Sequence, residues 1–472
     1  GLFINYRIDK GTGPWQEVIF QGPSGCQHLY SPQIVTSGQN NEVLHLFVFC
    51  KDNSISLPHQ DNIGDVLYSR SVDGGITWDP LFQDFDFNED YFGFSELSIV
   101  VANPNDETIA FAVGDYFTDL LLVKSTDGGD NWEKTVIIEH PYPFMEFGTT
   151  VTDTFWTHTG SMDIALDTAG MAHVTFSLCH IASEVENVWY YDTRSDGIVY
   201  WNEDMDVFSS NINALNPHGH PDSELIEEYN LIGWVQDING DGELNFVSDL
   251  EPLYPSLGLS TMPTITISEI NHITVLWSAI TETFNIGAED LRHIWGRVHY
   301  GNGWGQSTDL TADLIHIFDE CIFPVLAPDH NVNYMHLLYQ FDNDPGLNTN
   351  STFVENKINY ERINLGLFPN YFVNADFMAD FVEVEEGDTV HFENLSIGDP
   401  YSEIEWEWEF EGGVPASSTD ENPMVVYPDD GTYSVTLKAY LFTVIFDVVA
   451  KEDYITVMDD TGIDELTSDK IF

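Results

Sequence analysis

The chain has 472 residues, with 14 Lys+Arg against 79 Asp+Glu and a formal net charge of −65. A surface this anionic repels phosphate backbones and acidic headgroups, which argues against nucleic acid and anionic membrane as partners. Disorder is excluded too, because 43% of residues are hydrophobic and 14% aromatic, enough to build a large core.

The first residues, Gly1-Leu2-Phe3-Ile4-Asn5-Tyr6, lack a charged segment followed by an apolar one, so a signal peptide is expected to be absent or already removed. No apolar run approaches the roughly 20 residues of a membrane span, and no transmembrane segment is predicted. Four cysteines, Cys26, Cys50, Cys179 and Cys321, leave three pairings open. None sits in a CxxC or Cys/His cluster, and one or two disulfides fit an extracellular protein.

An internal repeat runs through the first three quarters. Short β-rich strings end in a basic residue, and a Trp follows seven or eight positions later. The pairs are Arg7/Trp15, Arg70/Trp78, Lys124/Trp132, Arg194/Trp201 and Arg297/Trp304; Arg362 ends a sixth string without a Trp. Upstream lies a second recurring string carrying His45, His173, His272 or His336, with Thr108-Ile109-Ala110-Phe111 in the remaining unit. The basic residues stand 63, 54, 70, 103 and 65 positions apart, room for about four short strands and their turns. The predicted fold class is all-β: a β-propeller with six blades favoured, five or seven also compatible, over residues 1–368. The recurring histidines are expected to hydrogen-bond between blades, and the recurring basic residues to form a repeated structural pair with blade-edge carboxylates.

Two turns sharpen this reading. Ser71-Val72-Asp73-Gly74-Gly75-Ile76-Thr77-Trp78 and Ser125-Thr126-Asp127-Gly128-Gly129-Asp130-Asn131-Trp132 both fit S-x-D-x-G-x-[TN]-W. The pattern resembles the Asp-box (BNR repeat) of sialidase-like propellers, a turn between the third and fourth strands of a blade. Arg194-Ser195-Asp196-Gly197 through Trp201 resembles a decayed copy. The chemistry suits a turn: Asp accepts backbone N–H groups, Gly supplies positive φ and Trp packs over the top.

The longest interval holds an insertion at about 205–254, and within it Asp237-Ile238-Asn239-Gly240-Asp241-Gly242-Glu243-Leu244-Asn245. Oxygen donors at positions 1, 3, 5 and 9, a carbonyl at 7 and Gly at 6 are what a calcium loop requires. It resembles the DxDxDG loops of dockerins and integrin-type propellers. The expected ligands are Asp237, Asn239, Asp241, Glu243 and Asn245. Position 12 is Ser248, so Asp249, or alternatively Glu251, is expected to complete the set. The role expected of the calcium is structural. Nearby His218 and His220 with Asp222 have transition-metal spacing, although loop histidines more often hydrogen-bond.

From Phe372 the texture changes. Gly387-Asp388-Thr389-Val390-His391-Phe392, Trp406-Glu407-Trp408-Glu409-Phe410 and Gly431-Thr432-Tyr433-Ser434-Val435-Thr436-Leu437 follow in order. Residues 372–457 resemble a PKD-type immunoglobulin-like sandwich, with Leu441 where such domains more often carry Asn. Ile404, Trp406, Trp408 and Phe410 alternate with Glu403, Glu405, Glu407 and Glu409, giving one apolar and one acidic face. Residues 458–472 form an acidic tail, in which Gly462-Ile463-Asp464-Glu465-Leu466 resembles the lead-in to type IX secretion sorting domains. These resemblances imply a secreted or cell-surface protein of a Bacteroidetes-like bacterium.

A sialidase-like enzyme requires an arginine triad, and five of the six arginines recur with the repeat, so no catalytic residue is assigned. No nucleophile elbow or phosphate-cradling loop occurs. The aromatic strings 90–94 and 143–147 are candidate floors of a glycan site. The expected function is therefore adhesion, glycan or matrix binding, or extracellular self-assembly into a homopolymer, with a glycoside hydrolase in the central pocket as the alternative. Residues 372–472 hold 25 acids against three lysines, and most of the charge is expected to solvate an extracellular surface rather than bind ions.

Overall fold

The computed structural model describes the chain except residues 1, 8–10, 25, 53–62, 86, 88–93, 96–98, 143–149, 185–188, 248–256, 288, 302, 313–314, 329–332, 347–354, 369–372, 399–403, 442–444 and 460–472. Its described residues are strands, turns and a short 3-10 helix, Leu365–Leu367, and no helix among them is long and apolar enough to cross a membrane. Two compact units result, Gly1–Phe368 and Pro369–Phe472.

The first unit is a β-propeller built from sequential antiparallel sheets. A hairpin, Leu2–Tyr6 with Gln16–Phe20, comes first. Sheet 1 contains Cys26–Ser37, Val43–Asp52, Ile63–Ser71 and Gln83–Asp84; sheet 2 contains Ile99–Val101, Ile109–Val113, Leu120–Ser125 and Glu133–Ile138. Sheet 3 contains Phe155–Leu166, Ala172–Ser183, Ile198–Asn202 and Leu231–Gly233, and sheet 4 contains Ser260–Ile267, Ile273–Ile286, Glu289–His299 and Thr308–Asp309. Sheet 5 contains Glu320–Leu326, Tyr334–Asp342 and Lys357–Asn364. The first strands of successive sheets stand side by side around the axis. Six repeat units thus appear, among the described residues, as one hairpin and five sheets. Cys26 and Cys50 form a disulfide within sheet 1, while Cys179 and Cys321 are buried thiols.

The inner strands share a device that the hydrophobic pattern hides. Those of sheets 1, 3, 4 and 5 each slip register at a bulge, around Ser31, Gly160, Met262 and Phe323. All four residues have positive φ, between 43° and 77°. Pro32, Pro263 and Pro324 follow three of them, and Pro inside a strand run marks such a bulge. Just beyond the bulge a polar side chain reaches the next sheet. Gln33 brackets the next inner strand, donating to the Ile99 carbonyl at 2.7 Å and accepting from the Val101 N–H at 3.2 Å. Asp163 accepts from the Ile265 N–H at 2.9 Å and the Thr264 hydroxyl at 2.8 Å; Thr264 in turn accepts from the Leu326 N–H at 3.3 Å. Burial pushes the Asp163 carboxyl up, so these bonds hold a group that water no longer reaches.

The recurring side chains sort differently from their spacing. His45, His173 and His336 hydrogen-bond within their own sheets, through Nδ1 to the hydroxyls of Tyr68, Tyr200 and Tyr360 at 2.6–2.8 Å. The contact between sheets is made by the tyrosine, whose ring lies beside the next tryptophan: Tyr68 with Trp132 at 5.0 Å, Tyr200 with Trp304 at 5.2 Å. Arg70 and Lys124 do clamp the following sheet, Arg70 to Asp130 at 2.7 Å and Lys124 to Glu203 at 2.6 Å. Arg297 instead turns back to the preceding sheet, meeting Glu228 and the Ile232 carbonyl. Arg194 lies in a turn before the third strand of sheet 3, and Trp201 lies inside that strand. The expected third copy of the turn is therefore at the opposite end of its sheet. Asn202, not Arg194, occupies the register position of Arg70, because His173 faces Asn202 as His45 faces Arg70.

The second unit is a two-sheet sandwich. Ser417–Ser418, Glu405–Phe410, Gly431–Leu441, Ile445–Met458 and Glu383–Glu385 form one sheet, the last pair parallel. Phe377–Ala379, Thr389–Asn394 and Met424–Val426 form the other. Trp408 and Phe410 point into a core with Phe377, Phe392, Tyr427 and Leu437, while Glu405, Glu407 and Glu409 stay exposed. Each such buried aromatic contributes about 1.5–3 kcal/mol through removal from water. Trp408 also donates its indole N–H to the Asp420 carbonyl at 3.0 Å, which fixes the following turn.

Candidate functional site

The two S-x-D-x-G-x-[TN]-W segments join the third and fourth strands of sheets 1 and 2. Asp73 Oδ1 accepts from the backbone N–H groups of Ile76 and Thr77 at 3.0 and 2.8 Å, and Oδ2 from the Thr77 hydroxyl at 2.7 Å. Asp127 takes the Asn131 side chain at 2.7 Å and its N–H at 2.8 Å. These bonds pull both carboxyls down to about 2, led by the Thr77 N–H for Asp73 and the Asn131 side chain for Asp127. Gly74, Gly75, Gly128 and Gly129 all have positive φ, as the turn requires. These carboxylates are fully engaged by their own turns and are framework.

At one end of the axis, where inner strands of sheets 2 to 5 finish, lies a cavity of about 530 Å³. Asn103, Asn105, Asp167, Thr168, Ser268 and Glu269 supply its polar lining; Ile164, Ile265 and Ile267 supply an apolar wall. The volume suits a ligand of a few sugar rings or a drug-sized molecule. Its carboxylates differ in availability. Asp167 Oδ1 accepts from the N–H groups of Ala169 and Met171, both at 2.8 Å, and so caps its own turn. Glu269 is exposed at the rim. Asn105 donates to the Asp167 carbonyl at 2.7 Å, and Thr168 to Asn271 at 2.9 Å, which holds the lining in place.

The insertion brings together the strongest cluster of ligand atoms among the described residues. Carboxylate oxygens of Asp237, Asp241 and Glu282 lie within 4.8 Å of one another. Glu282 comes from the second strand of sheet 4, some forty residues beyond the loop, and is buried. It accepts from the N–H groups of Ile238 and Asn245, both at 2.9 Å, and from the Asn239 side chain at 3.2 Å. The Asn245 N–H, first among these, lowers its carboxyl below the ordinary range. Asn239 and Asn245 face Glu282 and their own loop, Asp241 accepts from Asn245, and Glu243 is exposed. Asp249 and Glu251 lie outside the described residues. Glu282 joins Asp237 and Asp241 from another strand, an approach that no local spacing reveals. A donor set of three carboxylates, without nitrogen or sulfur, fits a hard cation such as calcium.

Other anticipated residues do not converge. His218 packs its ring on Trp156 at 5.5 Å, and His220 accepts from the Asp222 N–H at 3.1 Å; neither belongs to a three-ligand cluster among the described residues. Residues 90–93 and 143–147 lie outside the described residues. Arg7 stacks on Trp15 at 4.3 Å and Arg362 on Tyr334 at 4.6 Å. Arg292 is buried and donates to the carbonyls of Leu259 and Gly258 at 3.0 and 2.6 Å, a clamp on the segment entering sheet 4. Burial raises the nearby Tyr191 hydroxyl, with Cys179 and Tyr116 adding to the effect.

Residues 379–441 match the PKD domain family. Over 87 residues the chain is 32% identical to the xyloglucanase Xgh74A of Acetivibrio thermocellus, a stretch covering 16% of this chain and 10% of that protein. The chain thus spans about a tenth of the length of this curated relative. Among solved structures it is similar to a GH93 alpha-L-arabinofuranosidase of Fusarium graminearum, at 11% identity, 74% and 97% coverage and a TM-score of 0.28. It is also similar to the Aleuria aurantia lectin AAL, at 10% identity, 71% and 79% coverage and a TM-score of 0.26. For the Trypanosoma rangeli sialidase the values are 9%, 94% and 87%, and 0.24.

Proposed function

We propose that this chain is an extracellular, cell-surface protein that binds glycans at the axial cavity of its propeller, without turning them over. The observation that carries this reading is the lining of the cavity. Planar amides and hydroxyls ring an apolar wall, which is the combination that sugar hydroxyls and ring faces select. Hydrolysis by two carboxylates needs both groups free to move protons. Of the two in the cavity, Asp167 is tied to two backbone N–H groups, so the lining supports binding over chemistry.

A glycoside hydrolase remains the alternative reading, supported by the local likeness to a xyloglucanase. A glycan array combined with a fluorogenic glycoside panel separates the two. Binding that falls at least tenfold in Asn103→Ala, with no turnover, is the expected result. Turnover of any panel member would overturn the non-catalytic reading.

Calcium completes the proposal as a structural ion. Asp237, Asp241 and Glu282 would hold it, with the Asn239 and Asn245 amides donating to Glu282 and Asp241 and so orienting the carboxylates. Bound there, it offsets the repulsion of three converging carboxylates and ties the insertion to sheet 4.

A further inference from the structure

The turns between first and second strands of the propeller sheets share a charge pattern. Residues 38–42, 102–108, 167–171 and 268–272 carry Glu42, Asp106 with Glu107, Asp167 and Glu269, and none of the four turns holds a Lys or Arg. The last three of these turns supply the polar lining of the axial cavity. With 14 Lys+Arg against 79 Asp+Glu in the chain, where the few cations stand decides what charge the cavity can accept.

The propeller commits its basic side chains to the framework. Lys124 meets Glu203 at 2.6 Å, and Glu203 also accepts the Ala172 N–H at 2.6 Å beside the turn of sheet 3. Arg70 meets Asp130, while Arg292 and Arg297 are buried and donate to carbonyls. Arg194 lies beyond Ser183, whereas the cavity turn precedes Ala172 at the opposite end of the same strand. Among the described residues, no Lys or Arg lines the cavity. An anionic sugar would enter a site with carboxylates and no counter-charge, inside the field of a chain carrying −65.

The carboxylates of these turns are not equally engaged. Glu42 accepts the Asn40 N–H at 2.7 Å, and Asp167 Oδ1 accepts two N–H groups of its own turn. Asp167 Oδ2 stands 3.7 Å from the Nε2 of the buried His173, beyond hydrogen-bonding range. The turn at Glu269 is held by Ser268 instead, whose hydroxyl accepts the His272 N–H at 3.0 Å and whose carbonyl accepts the Asn271 N–H at 2.9 Å. Glu269 is left exposed at the rim. Asp167 and Glu269 thus keep acceptor capacity toward a ligand, beside an apolar wall of Ile164, Ile265 and Ile267.

Granted a glycan site there, we infer that the cavity selects sugars bearing a free amine, as in de-N-acetylated hexosamine oligomers. It prefers them over their N-acetylated counterparts and over uronic or sialic acids. A protonated amine brings donors and a positive charge, the complement of Asp167 and Glu269. Asn103 and Ser268 serve the neutral hydroxyls, and the isoleucines take the apolar face of the ring. N-acetylation keeps the sugar and removes the charge, so it isolates the electrostatic contribution.

Calorimetric titration of the full chain with a glucosamine oligomer and with an N-acetylglucosamine oligomer of equal length tests this. The free-amine form is expected to bind about tenfold tighter or more, since charge-assisted hydrogen bonds exceed neutral ones. That lead should shrink as salt is added. Glu269→Gln should narrow the gap between the two oligomers, whereas Asn103→Ala should weaken both. Equal affinity, or tighter binding of the N-acetylated oligomer, overturns the amine preference and leaves the glycan site standing. Comparable binding of a galacturonic acid oligomer overturns it as well. A lysine oligomer of equal charge separates sugar from charge; if it binds as tightly, the turns form an unselective acidic ring and the inference falls. Failure of every glycan to bind removes the glycan site itself, and this inference with it.

Discussion

The turn at Asp127 and the loop at Asp237 are built from the same residues, Asp, Asn and Gly, and differ in what surrounds them. Asp127 is satisfied within five residues by Ser125 and Asn131, and Trp132 follows directly and packs on Phe47 and Tyr68 of the preceding sheet. Asp237 also takes N–H groups from its own glycines, Gly240 and Gly242, both at 2.7 Å. In its loop, however, Ile238 and Leu244 are exposed, and a distant acid, Glu282, is buried against it. One loop is held by packing and closed by its own backbone. The other gathers negative charge that its own residues do not neutralise. The lesson is that a local acid motif is framework when its oxygens are exhausted nearby and a ligand candidate when a remote acid joins it.

The largest expected effect tests the packed half of this comparison. Trp132→Ala removes the cover from Phe47 and Tyr68 of the preceding sheet. A loss of about 2–3 kcal/mol in denaturant unfolding is expected, below that of a fully buried aromatic because Trp132 is half-buried. A loss below about 1 kcal/mol would show that the turn stands without its packing.

The next effect tests the charged half. Calcium at a hundredfold excess over its Kd should stabilise the native protein by about 2.7 kcal/mol, read from the melting transition with and without EGTA. Glu282→Gln should remove most of that response, whereas Asp127→Ala should lower the melting temperature by the same amount in either condition. An equal calcium response in wild type and Glu282→Gln would break the comparison, because Glu282 would then be framework like Asp127.

Acid supplies the smallest effect and separates buried histidines from the surface carboxylates of the turns. Burial holds His45 and His299 down to about 4, with Arg70 adding to the shift at His45 and His173 at His299. The unfolded chain takes up these protons near 6.5, so the stability tied to neutral imidazole is complete above that value and is lost as pH falls toward 4. Asp73 and Asp127, held at about 2, contribute above the ordinary carboxylate pKa of 3.8 and lose their contribution only below it. Urea midpoints should therefore fall between pH 6.5 and 4 before the turns titrate. A flat profile across that window would contradict the buried neutral histidines.

Reading the sequence succeeded where interactions close over short distances. The turns at 71–78 and 125–132 were legible because Ser, Asp and Gly satisfy one another within eight residues. The acidic and apolar faces of Glu405–Phe410 were legible because a strand alternates by geometry. The inner-strand bulges leave a trace in the sequence as Pro32, Pro263 and Pro324. The equivalence of Arg194 and Arg297 with Arg70 failed because spacing counts residues along the chain, whereas register decides which strand and which neighbour a side chain meets.

By itself, then, the sequence determined the all-β class, the repeat and its turns, and the sandwich of the second unit, since each follows from period-two alternation and local hydrogen bonding. Tertiary structure alone decided which carboxylates converge, which histidines pair with tyrosines, and which tryptophan covers which sheet. Those contacts join residues tens of positions apart, and only the twist and order of the sheets bring them within a hydrogen bond's length.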